Sequence, residues 1–257
     1  MDQSAAAVQV AREGPILVVT IDRPQVRNAI DGSTAQQIAD AMDVLDDDSS
    51  LSVGILTGAG GTFCSGMDLK AFLRGESPEV PGRGFAGLTE APPRKPLIAA
   101  IEGHALAGGC ELALVCDLIV AARGARFGLP EVTRGLIAGS GGLVRLPQRI
   151  PPQIAAEYAL TGGHFDAEQA HGWGMVNRLA EPGSALEAAL ELAREIARNA
   201  PLAVATTKRV LTAAPSWPAD EVWARQRAEL ETILASSDAH EGAAAFAERR
   251  EPRWTGR

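Results

Sequence analysis

The sequence predicts an α/β protein, on three observations. A unit of apolar strand, glycine-rich turn and helix recurs along the chain without identity between its copies, the signature of layered α/β folds. The last fifth is patterned only for helices rich in Ala, Leu and Arg. A chain of 257 residues, 46% apolar and 22% charged, can bury a full core and has none of the composition of a disordered protein.

The elements follow in order. Val8 to Pro15, then Ile16 to Ile21, predicts a β-hairpin turning at Gly14-Pro15. Ser33 to Leu45 has helical spacing, with Ile38, Met42 and Leu45 on one face and Ser33 or Asp31 as cap. Val53 to Gly58 is a buried strand entering a glycine loop, and Met67 to Leu73 is helical. Glu76 to Pro93, rich in Gly and Pro, is expected to be a mobile loop. Pro96 to Ile101 is a second buried strand, Gly109 to Val115 a buried helix, and Leu118 to Ala122 a third strand. Ala185 to Arg198, Pro201 to Thr212 and Ala219 to Ala235 complete the helices. Residues 1–198 are thus expected to form the core and 199–257 a helical packing or oligomerisation region.

Charge and composition exclude several classes. A net charge of -8 lacks the basic surface that displaces nucleic-acid counterions, although a few local cations and backbone amides can hold a small anion. The Val115 to Ala122 stretch is interrupted by Cys116-Asp117 and is too short to span a bilayer. Met1-Asp2-Gln3-Ser4 has neither the basic nor the apolar region of a secretory leader, so a cytoplasmic protein is expected. Cys64, Cys110 and Cys116 are then reduced, and no metal-ligand spacing connects them with His104.

Chemistry concentrates at two glutamates among small residues. Glu111 closes His104-Ala105-Leu106-Ala107-Gly108-Gly109-Cys110, and Glu131 sits in Phe127-Gly128-Leu129-Pro130, followed by Gly139-Ser140-Gly141-Gly142. Gly108 and Gly109 let backbone approach a ligand, and the free amides and dipole of the helix start favour negative charge. Two readings of Glu111 stand side by side: an acid–base group, or a first-turn acid complementing the dipole. Cys64 to Lys70 repeats the loop-then-helix design. Two such loops converging would make an oxyanion hole; apart, they are ordinary strand-to-helix turns. Among Phe127, Leu129, Leu136 and Ile137, the Glu131 carboxyl is expected to be raised by desolvation, which suits proton donation near neutrality.

Other candidates are weaker. Ser140 with His104 and Asp117 lacks the strand and G-x-S-x-G turn of a hydrolase nucleophile. Gly58-Ala59-Gly60-Gly61 lacks the Lys-Ser/Thr pair of a phosphate loop. His164, His171 and His240 are scattered, and Trp173 reads as a packed turn.

In sequence order these residues resemble the enoyl-CoA hydratase/isomerase (crotonase) superfamily. The resemblance spans Ile21 to Pro24 with Arg27-Asn28-Ala29, Phe63 to Leu69, Ala107 to Ala113, Cys116 to Ala121, Phe127 to Glu131 and Gly141 to Pro147. It continues at Leu160 to Gly162, Ala167 to Ala170 and Gly174 to Asn177. It implies a spiral of β-β-α turns with C-terminal helices that drive trimer, or dimer-of-trimers, formation. It also implies an acyl-CoA thioester substrate, with no cofactor besides the coenzyme A the substrate carries. The thioester carbonyl would meet the amides of Met67 and Gly108. Coenzyme A and the acyl group would lie along Val26, Ala29, Ser65, Asp68, Leu69, Lys70, Gly109, Pro130 and Leu136, with no metal. Glu111 would activate water and Glu131 exchange the α-carbon proton.

Members that hydrate the double bond carry both glutamates, so an enoyl-CoA hydratase is expected. Leu143 to Pro147 with Pro151-Pro152 also resembles carnitinyl-CoA dehydratases, which keeps a dehydratase of a functionalised acyl-CoA in view. An isomerase, which should survive loss of one glutamate, and a non-catalytic acyl-CoA binder stand behind these two. Ala107 replaces a family glycine, and Met67 stands where a small residue is common. Phe72, Phe85 and the 76–93 loop would set acyl length. The RNA-binding branch calls for a basic helix, whereas Ser33 to Leu45 is acidic at Asp40 and Asp43 and is followed by Asp46 to Asp48.

Overall fold

The computed structural model describes residues 7–257, so the leader expectation, made on Met1 to Ser4, lies outside the described residues. β1 (Val8–Glu13) and β2 (Ile16–Ile21) form the antiparallel hairpin, Val8 opposite Ile21, turning at Gly14 with φ 59. α1 (Gly32–Asp47) starts where the Asp31 carboxylate accepts from the Thr34 amide at 2.9 Å, which makes Asp31 the cap. Its face of Ile38, Met42 and Leu45 is buried, as the spacing predicts.

β3 (Val53–Gly58) leads through a loop to α2 (Leu69–Leu73). That helix begins two residues later than expected, because Asp68 caps it by accepting from the Lys70 and Ala71 amides, both at 3.1 Å. The 76–93 segment is not an open loop. It forms a small hairpin, β4 (Glu79–Val80) and β5 (Gly84–Phe85), and buries Phe85, Ala86, Leu88 and Thr89. Gly87 permits this, since a Cβ there would stand 2.5 Å from the Ala39 Cβ on α1.

The chain then runs through β6 (Leu97–Ile101), β7 (His104–Leu106), α3 (Gly108–Val115), β8 (Leu118–Ala122) and β9 (Arg126–Gly128) to a 3-10 turn at Pro130–Arg134. α4 (Gly142–Arg149), α5 (Pro152–Thr161), β10 (His164–Asp166), α6 (Ala167–Gly172) and β11 (Arg178–Ala180) follow. Helices α7 (Ala185–Ala197), α8 (Pro201–Ala213), α9 (Val222–Leu234) and α10 (Ser237–Glu248) end it.

Six strands form one sheet in the order β1-β2-β3-β6-β8-β11, parallel except for β1. A second sheet orders β10-β9-β7. Together they trace a spiral. β3, β6 and β8 are neighbours in the first sheet, and their successors Cys64, β7 and β9 are neighbours beside it, Cys64 pairing with Ala105 and Ala105 with Phe127. Each turn of the spiral therefore ends in a loop on the same side of the fold, which is what assembles a site from residues 64–68, 104–111 and 128–134.

Strand alternation divides the core. Leu17, Val19 and Ile21 pack with α1 and α3, whereas Ile16, Val18, Ile55, Ile98 and Val120 pack with Ala189, Leu190 and Ala193 of α7. Trp173, expected as a packed turn, joins an aromatic cluster with Phe165 at 5.4 Å and Tyr158 at 5.9 Å. All three cysteines are buried and free, and burial pushes the Cys64 and Cys110 thiols up to about 12 and the Cys116 thiol higher still.

At the C-terminus, α8 is tied to the core by Lys208, whose Nζ lies 2.6 Å from the Asp117 carboxylate and donates to the Lys95 carbonyl at 2.9 Å. α9 buries none of its side chains, and Trp223, Leu230, Leu234 and Phe246 stand exposed on α9 and α10. The tail returns to the body, with Asp238 accepting from the Thr255 and Gly256 amides and Trp254 donating to the Arg198 carbonyl at 2.7 Å. Among the described residues no helix is long and apolar enough to cross a membrane.

Candidate active site

Two glycine loops meet because the spiral stacks them. The Leu106 amide donates to the Cys64 carbonyl at 3.0 Å, and a Cβ on Gly66 would stand 2.9 Å from the Gly108 nitrogen. Ala107 enters α3 at φ 51 and ψ -128, a conformation that favours glycine, and it turns the Gly108 amide out of the strand direction. Among the described residues the amides of Met67 and Gly108 donate to no protein acceptor. Convergence, left open by the sequence, is what the structure has.

Glu111 is 3% exposed and lies in the first turn of α3. Its Oε1 accepts from the Ser140 amide at 2.7 Å and the Gly142 amide at 2.8 Å. Glu111 is therefore a first-turn acid of α3 that is also buried and cradled by two amides. Burial raises the Glu111 carboxyl; the two amides oppose the rise, Glu79 adds to it, and Arg145 reduces it.

Glu131 sits in the 3-10 turn after Pro130, 9% exposed, and among the described residues its buried Oε2 has no hydrogen-bond partner. Burial, with a smaller contribution from the Glu111 charge, pushes its carboxyl up to about 7. The desolvation expected from the sequence is present; Phe127 and Leu129 are buried, whereas Leu136 and Ile137, which line the same cavity as Glu131, are 44% and 71% exposed.

Both glutamates line a cavity of about 1060 Å³. Its wall includes Met67 and Gly108, Val26, Ala29, Ser65, Asp68, Leu69 and Lys70 on one side, and Pro130 and Leu136 on the other. Phe72 and Phe85 line it too, and the Phe85 ring fills the space a Cβ on Gly108 would need, 2.6 Å away. Gly109 is the correction. It does not line the cavity; a Cβ there would stand 2.1 Å from the Cys64 carbonyl oxygen, so its role is to let α3 pack on that loop.

Five residues escaped the sequence reading. The Ser140 and Gly142 amides hold Glu111, and the only signal in the sequence was the Gly139 to Gly142 run itself. Glu79 and Glu90, from the segment expected as a loop, line the cavity, as does His164, one of the scattered histidines. Ser140, His104 and Asp117 form no triad, because Asp117 accepts from the Leu97 amide and pairs with Lys208. Among the described residues no group of three or more His, Cys, Asp or Glu side chains is placed to hold a metal ion.

Comparison with known proteins gives the following. A family model described as enoyl-CoA hydratase/isomerase matches residues 11–257. A carnitinyl-CoA dehydratase of Salmonella heidelberg is 44% identical, with 98% of this chain and 99% of that one covered. The crystal structure of an enoyl-CoA hydratase from Mycobacterium marinum superposes with a TM-score of 0.97 at 60% identity, covering 98% of this chain and 100% of that one. That of a carnitinyl-CoA hydratase from Mycobacterium avium does so with a TM-score of 0.79 at 44% identity, covering 99% and 100%.

Proposed function

Because this chain belongs to the enoyl-CoA hydratase/isomerase family, we propose that it is a hydro-lyase that reversibly adds water across the 2,3 double bond of an acyl-CoA thioester. The observation that carries this reading is the pair of buried carboxylates in one cavity, Glu111 anchored through one oxygen and Glu131 with an oxygen unpartnered. A binder has no use for two desolvated carboxylates.

The thioester oxygen is assigned to the free amides of Met67 and Gly108. Glu111 Oε1 is already held, so Oε2 is the atom that takes a proton from water. As the water oxygen bonds to C3, the π electrons move toward the thioester and form an enolate, whose charge the two amides stabilise. Glu131 in its neutral form gives the proton to C2. Dehydration runs the same steps backwards. Coenzyme A, part of the substrate, is assigned to Val26, Ala29, Ser65 and the Asp68 to Lys70 turn. The exposed Trp223, Leu230, Leu234 and Phe246 support assembly as a trimer or dimer of trimers through residues 199–257.

A second reading, dehydration of a 3-hydroxyacyl-CoA with a cationic substituent, is favoured by Glu79 and Glu90. Both line the cavity, and neither pairs with a cation among the described residues.

The test is loss of the conjugated thioester absorbance of crotonyl-CoA. Wild-type turnover that falls about 100-fold or more in both Glu111→Gln and Glu131→Gln supports hydration. Faster turnover of carnitinyl-CoA than of 3-hydroxybutyryl-CoA supports the second reading. Activity that survives one substitution points to an isomerase, and binding of every thioester without turnover overturns the enzyme reading.

A further inference from the structure

Arg145, in the first half of α4, has no part in the chemistry above, yet it is built into the site. Its half-buried guanidinium donates from Nη2 to the Thr89 carbonyl at 2.6 Å and from Nη1 to the Ser140 carbonyl at 3.4 Å. Thr89 belongs to the segment that brings Phe85 and Glu90 to the cavity. Ser140 belongs to the turn whose amides hold Glu111. Gly141, at φ 101, completes the seat, since a Cβ there would stand 1.9 Å from Nη1. One three-residue turn thus presents a carbonyl to Arg145 and the Ser140 and Gly142 N–H groups to Glu111.

We propose that Arg145 is a positioning residue, tying the Ser140 to Gly142 turn to Thr89 so that both amides stay on Glu111 Oε1 with a fixed cation beside that carboxylate. The proposal rests on Glu111 acting as the base. Around Glu111, Glu79 of the β4 hairpin and Glu131 of the 3-10 turn are acidic, and Cys110 on α3 is a buried neutral thiol. Arg145 opposes the acids, while Arg149, one turn along α4, acts on Arg145 itself. A base must be ionised, so removing the cation should move the acidic limb of the pH profile to higher pH.

The experiment compares Arg145→Gln, Arg145→Lys and Gly141→Ala with wild type, all checked for native melting. It measures kcat and KM for crotonyl-CoA across pH, and follows Glu111 ionisation by infrared titration of its carboxyl band, identified by its loss in Glu111→Gln. In Arg145→Gln, kcat should fall about 10- to 100-fold, the scale of a misplaced group, with KM little changed. The limb and the infrared midpoint should both move to higher pH. Arg145→Lys, which keeps the charge but not the fork of donors, should restore the limb more fully than kcat. Gly141→Ala, which crowds the guanidinium, should shift in the same direction as Arg145→Gln. A folded Arg145→Gln protein with the wild-type limb and midpoint overturns the proposal, whatever its kcat. Wild-type turnover in Glu111→Gln overturns instead the assignment of the base, and the infrared midpoints judge Arg145 even if crotonyl-CoA is not turned over.

Discussion

The Gly142 amide donates to Glu111 Oε1 at 2.8 Å, joining the start of α4 to the first turn of α3 across 31 residues of chain. Gly142 has no spare room: a Cβ would stand 3.0 Å from both the Glu111 Cγ and the Leu129 methyl groups. Gly142→Ala should therefore push the carboxylate off its cradle. The expected result is a fall in kcat of about 10-fold or more, with a loss of about 1–3 kcal/mol in denaturant unfolding from overpacking. Unchanged kcat would show that the cradle does not aim Glu111.

Burial pushes Glu131 up to about 7, and its proposed role as proton donor predicts a pH dependence of activity. In the proposed mechanism neutral Glu131 gives the proton to C2, so kcat/KM for crotonyl-CoA should decline as pH rises through about 7. Because Glu111 and Glu131 interact, the limbs belong to the pair. A profile flat from pH 6 to 9 would contradict this.

Stability has its own sign. The folded value of Glu131 lies above the ordinary carboxylate range, so the folded state holds this proton more tightly than the unfolded chain. That advantage is complete below the ordinary range and is lost as pH rises through about 7. Glu131→Gln, neutral at every pH, should melt higher than wild type at pH 8, with the gap closing toward pH 5. Thermal scans at the two pH values check it.

Arg23 ties two residues of the cavity wall, Ala29 and Asp68, to the cap of α1. Its guanidinium lies 2.8 Å from the Asp31 carboxylate and 3.0 Å from that of Asp68, and it also donates to the Ala29 carbonyl. Burial alone would raise the Asp68 carboxyl, but the Ala71 amide and the Arg23 guanidinium outweigh it and hold it below its ordinary value. Arg23→Ala leaves one buried carboxylate, Asp68, and one half-buried, Asp31, without their cation and should cost about 2–4 kcal/mol in denaturant unfolding. It should also raise KM more than it lowers kcat, because α2 and the Met67 loop lose their brace.

Ala107, at φ 51, stands in a region that costs an L residue about 1–3 kcal/mol, while glycine loses about 0.5–1 kcal/mol of chain entropy. Ala107→Gly should therefore stabilise the protein by about 1 kcal/mol without lowering kcat, measured by the urea midpoint and by turnover. A destabilised variant would mean that the Ala107 methyl packs more than it strains.

Period and punctuation carried much of this fold. The apolar strands and the Ile38–Met42–Leu45 face of α1 are local patterns, and both are found where the sequence indicates. The stacking that joins Cys64 to Ala105 and Ala105 to Phe127 is non-local, and only the resemblance pointed to it. The 76–93 segment misled because Gly and Pro mark a chain as irregular without saying whether it is packed, and Gly87 is there for contact with α1. Glu111 and Glu131 stood out by their small neighbours. Their partners did not, since the Ser140 and Gly142 amides carry no side-chain signal and Arg145 acts through a carbonyl 56 residues away in sequence.

The sealed cysteines have a practical corollary. Thiolate is the form that attacks maleimides, and at neutral pH Cys64, Cys110 and Cys116 supply neither thiolate nor access. The native chain is therefore a blank background for thiol labelling. A single cysteine introduced at exposed Leu73 or Ile137 would be the reactive one. A fluorophore there could report what the cavity rim does as a thioester enters.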